Sequence, residues 1–271
     1  MQFELSEEQA MLSTMVRDLL AVRCTPDHVR AAIVADGEVA GLARSLDEVG
    51  LPLITVPEEA GGLGLGVVEA CLALQALGYA GAPGPWVERL LLPEELALSG
   101  EALSGEALSG EALSGEALSG EAVCLRQAVG SAALLLGLAQ RMLDLAVEHT
   151  KVREQFGRPI GSFQAVAHHL ADARLGIEFA VPLLHRAAWL LDHEADAGGG
   201  VNPVAVAAWS AKHHANDAAL LSARKALQTH GAMGYAHEHD LQLFMKQVWL
   251  LAPKHGDSAA CRRKIAAALA L

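Results

Sequence analysis

The chain has 271 residues, room for about two domains of ordinary size. It is 52% hydrophobic but only 4% aromatic, so its core must be aliphatic and rich in Ala and Leu, which suits packed helices better than a sheet sandwich. A formal charge of −12, with no Lys/Arg cluster longer than Arg262-Arg263-Lys264, argues against nucleic acid and anionic membranes as partners.

The acidic N-terminus, Met1 to Glu8, lacks an apolar signal core, and the cysteines at 24, 71, 124 and 261 are too far apart for a metal or redox motif. A cytoplasmic protein without a disulfide framework is expected. Ser6-Glu7-Glu8-Gln9 is a capping box that opens a helix to about Ala21. Further helices are expected from Pro26, from about Glu38, and from Val67 to Leu77, the last ending at Gly78. Between them, the prolines and glycines of 50–62 break helicity, and Ala82-Pro83-Gly84-Pro85 is a firm stop.

From Leu96 to Gly120 the chain is a tandem pentapeptide, one Leu-Ala-Leu-Ser-Gly and four copies of Glu-Ala-Leu-Ser-Gly. A five-residue period turns each helical repeat by about 140° from the last, so the leucines spiral instead of forming one buried stripe. In a strand the odd period sends them to alternate faces. A β-solenoid of such repeats would place a glutamate where a small inward side chain belongs. The repeat reads as a low-complexity linker with partial helicity.

Helical patterns then run over Val123 to Val152, Phe163 to about His193, Val204 to Gln228, Leu241 to Leu251 and Ser258 to Leu269. The Gly198-Gly199-Gly200 run stops the second, and Asn202-Pro203 opens the third. The expected class is all-α: an N-terminal helical domain (1–93), the repeat linker (94–120) and a C-terminal antiparallel four-helix bundle (121–271). Ala128 to Ala139 is apolar but shorter than the roughly 20 residues needed to span a bilayer.

Arg153-Glu154-Gln155-Phe156-Gly157-Arg158-Pro159-Ile160-Gly161-Ser162-Phe163-Gln164 is the most informative run. Arg153 ends one long helix and Gln164 opens the next. A permanently charged guanidinium at such a corner suits a phosphate, since it bonds two oxygens at once, although a cation there also serves as a helix cap. The run resembles the FAD-contacting corner of the acyl-CoA dehydrogenase family. Gly137 to Asp144 resembles the helix before that corner, and Gln228-Thr229-His230-Gly231-Ala232-Met233-Gly234-Tyr235 is similar to the family's Gln-x-x-Gly-Gly-x-Gly-Tyr signature. Val56 to Gly64 and Leu77 to Pro85 resemble its N-terminal helical domain. The likeness covers about 1–93 and 121–271, in the family's order.

The resemblance implies an FAD held between chains. Arg153 and Gln155 would contact the pyrophosphate of a flavin held mainly by a neighbouring subunit, with Phe156 packing nearby. Gln164 would start the contacting helix, and Gln228 and Gly231 would approach the adenosine-diphosphate portion. Partners would then be further copies of the chain or a full-length acyl-CoA dehydrogenase-like subunit, with acyl-CoA as a candidate ligand.

Three departures stand beside it. Ala232 replaces the signature's second glycine. The family's middle β-domain has no room between Trp86 and Gln127. The catalytic carboxylate is also absent, since His255 stands at the usual glutamate position and Gln127 near the alternative one. No catalytic residue is assigned on this basis, and Asp257 is expected to face elsewhere. His237-Glu238-His239-Asp240, His168-His169 and His213-His214 place their side chains apart on a helix, so no metal site is expected. Nor do the glycines of 61–66 form a dinucleotide loop. Three readings remain open: a flavoprotein subunit that is catalytically incomplete alone, an active acyl-CoA oxidoreductase with His255 or a partner residue as base, and a degenerate helical association module without flavin.

Overall fold

The computed structural model describes residues 5–35, 37–92, 120–193 and 201–269. The linker expected at 94–120, apart from Gly120, and the stop at 198–200 lie outside them. The N-terminal helices are α1 (Glu7–Arg23), α2 (Pro26–Val34), α3 (Leu42–Glu48), α4 (Val67–Ala80) and α5 (Trp86–Leu91). The C-terminal ones are α6 (Gly120–Val152), α7 (Gln164–His193), α8 (Pro203–His230), α9 (Leu241–Leu251) and α10 (Ser258–Ala268). A two-stranded hairpin, β1 (Glu154–Gln155) with β2 (Arg158–Pro159), joins α6 to α7 and is the only sheet among the described residues. The all-α expectation holds.

Local chemistry sets most helix ends. At α1, Gln9 N–H donates to Ser6 Oγ at 3.1 Å and Ser6 N–H to Gln9 Oε1 at 3.0 Å, completing the capping box. Asn202 and Asp257 cap α8 and α10 through Ala205 and Ala260 N–H. α3 begins later than expected because Gly41, at φ 73°, turns the chain just before it. The prolines of 50–62 give two 3-10 turns, Leu51–Leu53 and Glu58–Ala60.

α6, α7, α8 and α10 form the bundle, with α8 packed along α6, α7 and α10. α4 lies along α6, and one continuous hydrophobic core runs through both halves. α6 is apolar and long enough to cross a bilayer, but 83% of its most apolar stretch is buried against other helices, as a central core helix requires. All four cysteines are unpaired.

Gly78 is where expectation and structure part. α4 continues past it to Ala80 and closes at Gly81, whose φ of 68° makes a left-handed cap. A Cβ on Gly78 would lie 2.2 Å from the Leu134 carbonyl oxygen of α6, and one on Gly137 would lie 2.1 Å from the Gln75 carbonyl oxygen of α4. Both obstacles are backbone, so the two helices cross at a distance that only glycine permits. On the far side of α6, Gly130 leaves space for Val87 and Leu91 of α5.

Lys212 of α8 is fully buried. Its ammonium donates to Asn216 Oδ1 at 2.6 Å and to the Ala252 and Leu251 carbonyls at 3.1 and 3.4 Å. These carbonyls end α9, where the helix dipole favours a cation. Asn216 Nδ2 donates to the Gly256 carbonyl at 3.1 Å, so α8 grips both sides of the turn at 252–256. Burial pushes Lys212 down to about 7.

Two outcomes follow from this packing. Gly137→Ala lowers unfolding stability by about 1–3 kcal/mol, as overpacking does, whereas Gly176→Ala on α7, where a Cβ meets only ordinary contacts beyond 3.7 Å, leaves it equal or higher. Equal effects in denaturant titrations would contradict the crossing. For Lys212, a folded pKa below the unfolded value means the native state resists the charge. Its contribution is complete above the unfolded lysine value and is lost as pH falls toward about 7. Between pH 7 and 9 the wild type therefore gains stability relative to Lys212→Met, by up to about 1.4 kcal/mol per pH unit; parallel curves would contradict this.

Candidate functional site

The corner between α6 and α7 is a tight hairpin. Glu154 pairs with Pro159 and Gln155 with Arg158, leaving Phe156 and Gly157 as a two-residue turn. Both have positive φ, 54° and 76°, the pattern of a type I′ turn, whose twist matches that of the strands. Glycine takes that conformation freely, while a bulky side chain is strained in it. Phe156 is nonetheless 91% exposed, so burial does not offset the strain. Its ring meets Phe163 edge-on at 6.1 Å, and the Arg158 guanidinium lies over Phe163 at 4.2 Å. The base of the hairpin is fixed by Ile160 N–H donating to the Arg153 carbonyl at 2.8 Å, and Gly161 sits close against Thr150 of α6.

Arg153, Gln155, Phe156 and Gln164 are all exposed, Arg153 directly after α6 and Gln164 as the first residue of α7. The Gln155 amide donates to the Glu154 carbonyl at 2.9 Å. Gln228 and Gly231, on the last turn of α8 and just past it, are exposed as well, and the space where a Gly231 Cβ would point is open. The two segments share one end of the bundle, because His149 of α6 stacks on His230 of α8 at 4.5 Å. The donor set, a guanidinium, amides, an exposed aromatic ring and an open glycine, fits a diphosphate joined to flat rings.

The turn at 252–256 carries the other expected feature. His255 has a φ of 58°, and its Nδ1 lies 2.6 Å from Ser131 Oγ on α6. Its Nε2 is 3.7 Å from Glu88 Oε1 of α5, which Lys254 Nζ also reaches at 3.0 Å. The His255 side chain is only 11% exposed, and burial, aided by Lys254, pushes it down to about 4. At neutral pH it is an uncharged ring enclosed by Ser131 and Glu88. Gln127 is buried one turn before Ser131 on α6, so both positions where the family would carry a base belong to one region. Asp257 faces away, as expected, capping α10 through Ala260 N–H at 2.6 Å.

Ser131, Glu88 and His149 carry no motif in the sequence, and the pairing of Ser131 with His255 spans 124 positions. His230 stands inside the signature, but nothing local marks it as a stacking partner. The histidine pairs do not gather ligands: among the described residues no group of three His, Cys, Asp or Glu is placed to hold a metal ion.

The acyl-CoA dehydrogenase C-terminal domain matches residues 125–270 and the N-terminal domain matches residues 6–102. A probable acyl-CoA dehydrogenase of Bacillus subtilis, YngJ, is 36% identical over 138 residues, 51% of this chain and 34% of that protein. The chain thus spans about a third of the length of the first curated relatives it matches. Acyl-CoA dehydrogenase IpdE2 of Mycolicibacterium smegmatis is 29% identical over 300 residues, covering 90% of this chain and 93% of that protein. Among solved structures, the ChsE4-ChsE5 complex from Mycobacterium tuberculosis superposes with a TM-score of 0.83 at 21% identity, covering 100% of this chain and 99% of that one, a likeness of fold. With both helical domains matched in order, the chain belongs to the acyl-CoA dehydrogenase family.

Proposed function

We propose that the chain is a flavoprotein subunit of acyl-CoA dehydrogenase type, catalytically incomplete alone, that lends FAD contacts to a neighbouring chain. Arg153 and Gln155 bind the pyrophosphate, Phe156 packs against the cofactor, Gln164 begins the contacting helix, and Gln228 and Gly231 approach the adenosine-diphosphate portion. The partner is a second copy of the chain or a full-length relative with its own β-domain and carboxylate. When bound, FAD supplies the acceptor for the hydride lost by an acyl-CoA thioester. In this reading the chain divides at 1–93, 94–120 and 121–271, with the linker in place of the β-domain.

The strained, 91% exposed Phe156 carries the reading, since its left-handed backbone is set against no burial and only an edge contact with Phe163. The state of the base position supports incompleteness. Removal of an α-proton requires an open, positioned base, and His255 is enclosed and weakly basic. That counts equally against an active enzyme with His255 as its base. The six exposed residues at one end of the bundle speak against a module without flavin.

In a complex co-purified with a full-length relative, Arg153→Ala weakens flavin retention by about 1–3 kcal/mol, the worth of a charge-assisted contact. Phe156→Gly relieves the turn and leaves the chain equally stable or about 1 kcal/mol more so, yet it also lowers flavin content. Unchanged flavin in both variants would remove the corner from the site. A loss of stability in Phe156→Gly would make the phenylalanine a structural residue.

A further inference from the structure

The two candidate flavin-facing segments lie far apart in sequence, and three imidazoles join them. His149 is on the last turn of α6, just before Arg153; His230 ends α8, just after Gln228; His239 lies in the turn before α9. His149 and His230 stack with centroids 4.5 Å apart and planes at 28°. His239 meets His230 edge-on, 4.7 Å away at 71°. His230 is buried and the other two are half-buried.

Hydrogen bonds set the protons on two of the rings. His230 Nδ1 is 2.8 Å from the Ala226 carbonyl, which only accepts, so Nδ1 carries a proton. Leu241 N–H donates to His239 Nδ1 at 3.1 Å, so the neutral ring holds its proton on Nε2. The turn bearing His239 is anchored to α2, where Arg30 pairs with Asp240 and donates to the Glu238 carbonyl at 2.8 Å. Arg30 also pairs with Asp27 of its own helix.

Among the described residues, no carboxylate acts on the stacked pair His149 and His230. The groups that act on His149 are His239 and Arg153, and those that act on His230 are His149 and His239, together with the Ala226 carbonyl. No carboxylate is among them, and Asp240 is engaged by Arg30. Rings in face-to-face contact without an anion are stable while uncharged, and a proton gained there meets burial and like charge together.

We propose that His149, His230 and His239 are positioning residues: their stack holds the Arg153–Gln164 corner and the Gln228–Gly231 turn in one surface, and protonation of His149 or His230 separates them. The inference rests on the reading of these segments as one flavin-contacting surface, but the coupling is a property of the chain itself. Burial and the neighbouring rings push His230 from 6.5 to about 4. Its contribution is therefore complete above the unfolded value and is lost as pH falls toward about 4.

The test is amide hydrogen exchange on the full chain between pH 7 and 4.5, corrected for intrinsic rates. In the wild type, protection of 149–164 and 226–240 falls together, on the order of fiftyfold, the ratio set by an open-state pKa of 6.5 and a closed one of about 4. The α4–α6 crossing stays protected. His230→Phe keeps a flat ring without a titrating group and leaves a weaker pH dependence, that of His149. His230→Asn keeps a donor for the Ala226 carbonyl but no ring, so both segments are already exposed at pH 7. Should His230→Phe fail to fold, an NMR titration of the wild-type imidazoles decides, with His149 and His230 charging only as the two segments open. Full protection in His230→Asn at pH 7, a wild-type pH dependence in His230→Phe, or ring titration near 6.5 with both segments closed overturns the proposal. Flavin content of the partner complex, followed over the same pH range, judges the other reading. If the segments open but flavin content does not change, the flavin contact is rejected while the stack stands.

Discussion

The α4–α6 crossing is the constraint on which the remaining geometry depends. Gly78 and Gly137 each face a backbone carbonyl oxygen of the other helix, so the N-terminal helices meet the bundle at backbone distance. Shape complementarity at that range fixes position far more tightly than interdigitating side chains, which adapt by changing rotamers. From this crossing, α5 is carried onto α6, where Val87 and Leu91 fill the space left by Gly130. Glu88 thereby arrives beside His255 and Lys254 of a turn held from the other side by Lys212 and Asn216.

The turn at 252–256 and the corner at 153–164 satisfy their polar groups in opposite ways. At one, the polar side chains turn inward: His255, Ser131, Glu88 and Lys254 satisfy one another around a nearly closed ring. At the other, Arg153, Gln155, Phe156, Gln164, Gln228 and Gly231 remain exposed on a strained turn and a helix end. The proposal of a site completed by a neighbouring chain rests on this contrast. The histidine stack joins the ends of α6 and α8 to the turn before α9.

Much of the fold was legible because helix ends are written locally. The Ser6 capping box, Pro26 and Asn202-Pro203 each act within one turn of their position, and each begins a helix as expected. Gly78 was misread for an equally physical reason: glycine that ends a helix and glycine that admits a neighbouring backbone look alike until the neighbour is known. The corner was legible as a motif, but its strain was not, since the left-handed Phe156 is a consequence of pairing Glu154–Gln155 with Arg158–Pro159. Contacts such as Ser131 with His255 and His149 with His230 join residues with no shared periodicity, and only tertiary packing brings them together.

The central claim is that this chain supplies one side of a flavin site whose other side belongs to a neighbour. The visible absorption spectrum of the purified chain, recorded alone and after co-purification with a full-length relative, tests it most directly. The account predicts a colourless chain by itself and a yellow complex containing FAD. An isolated chain that binds FAD stoichiometrically and oxidises an acyl-CoA thioester would contradict it.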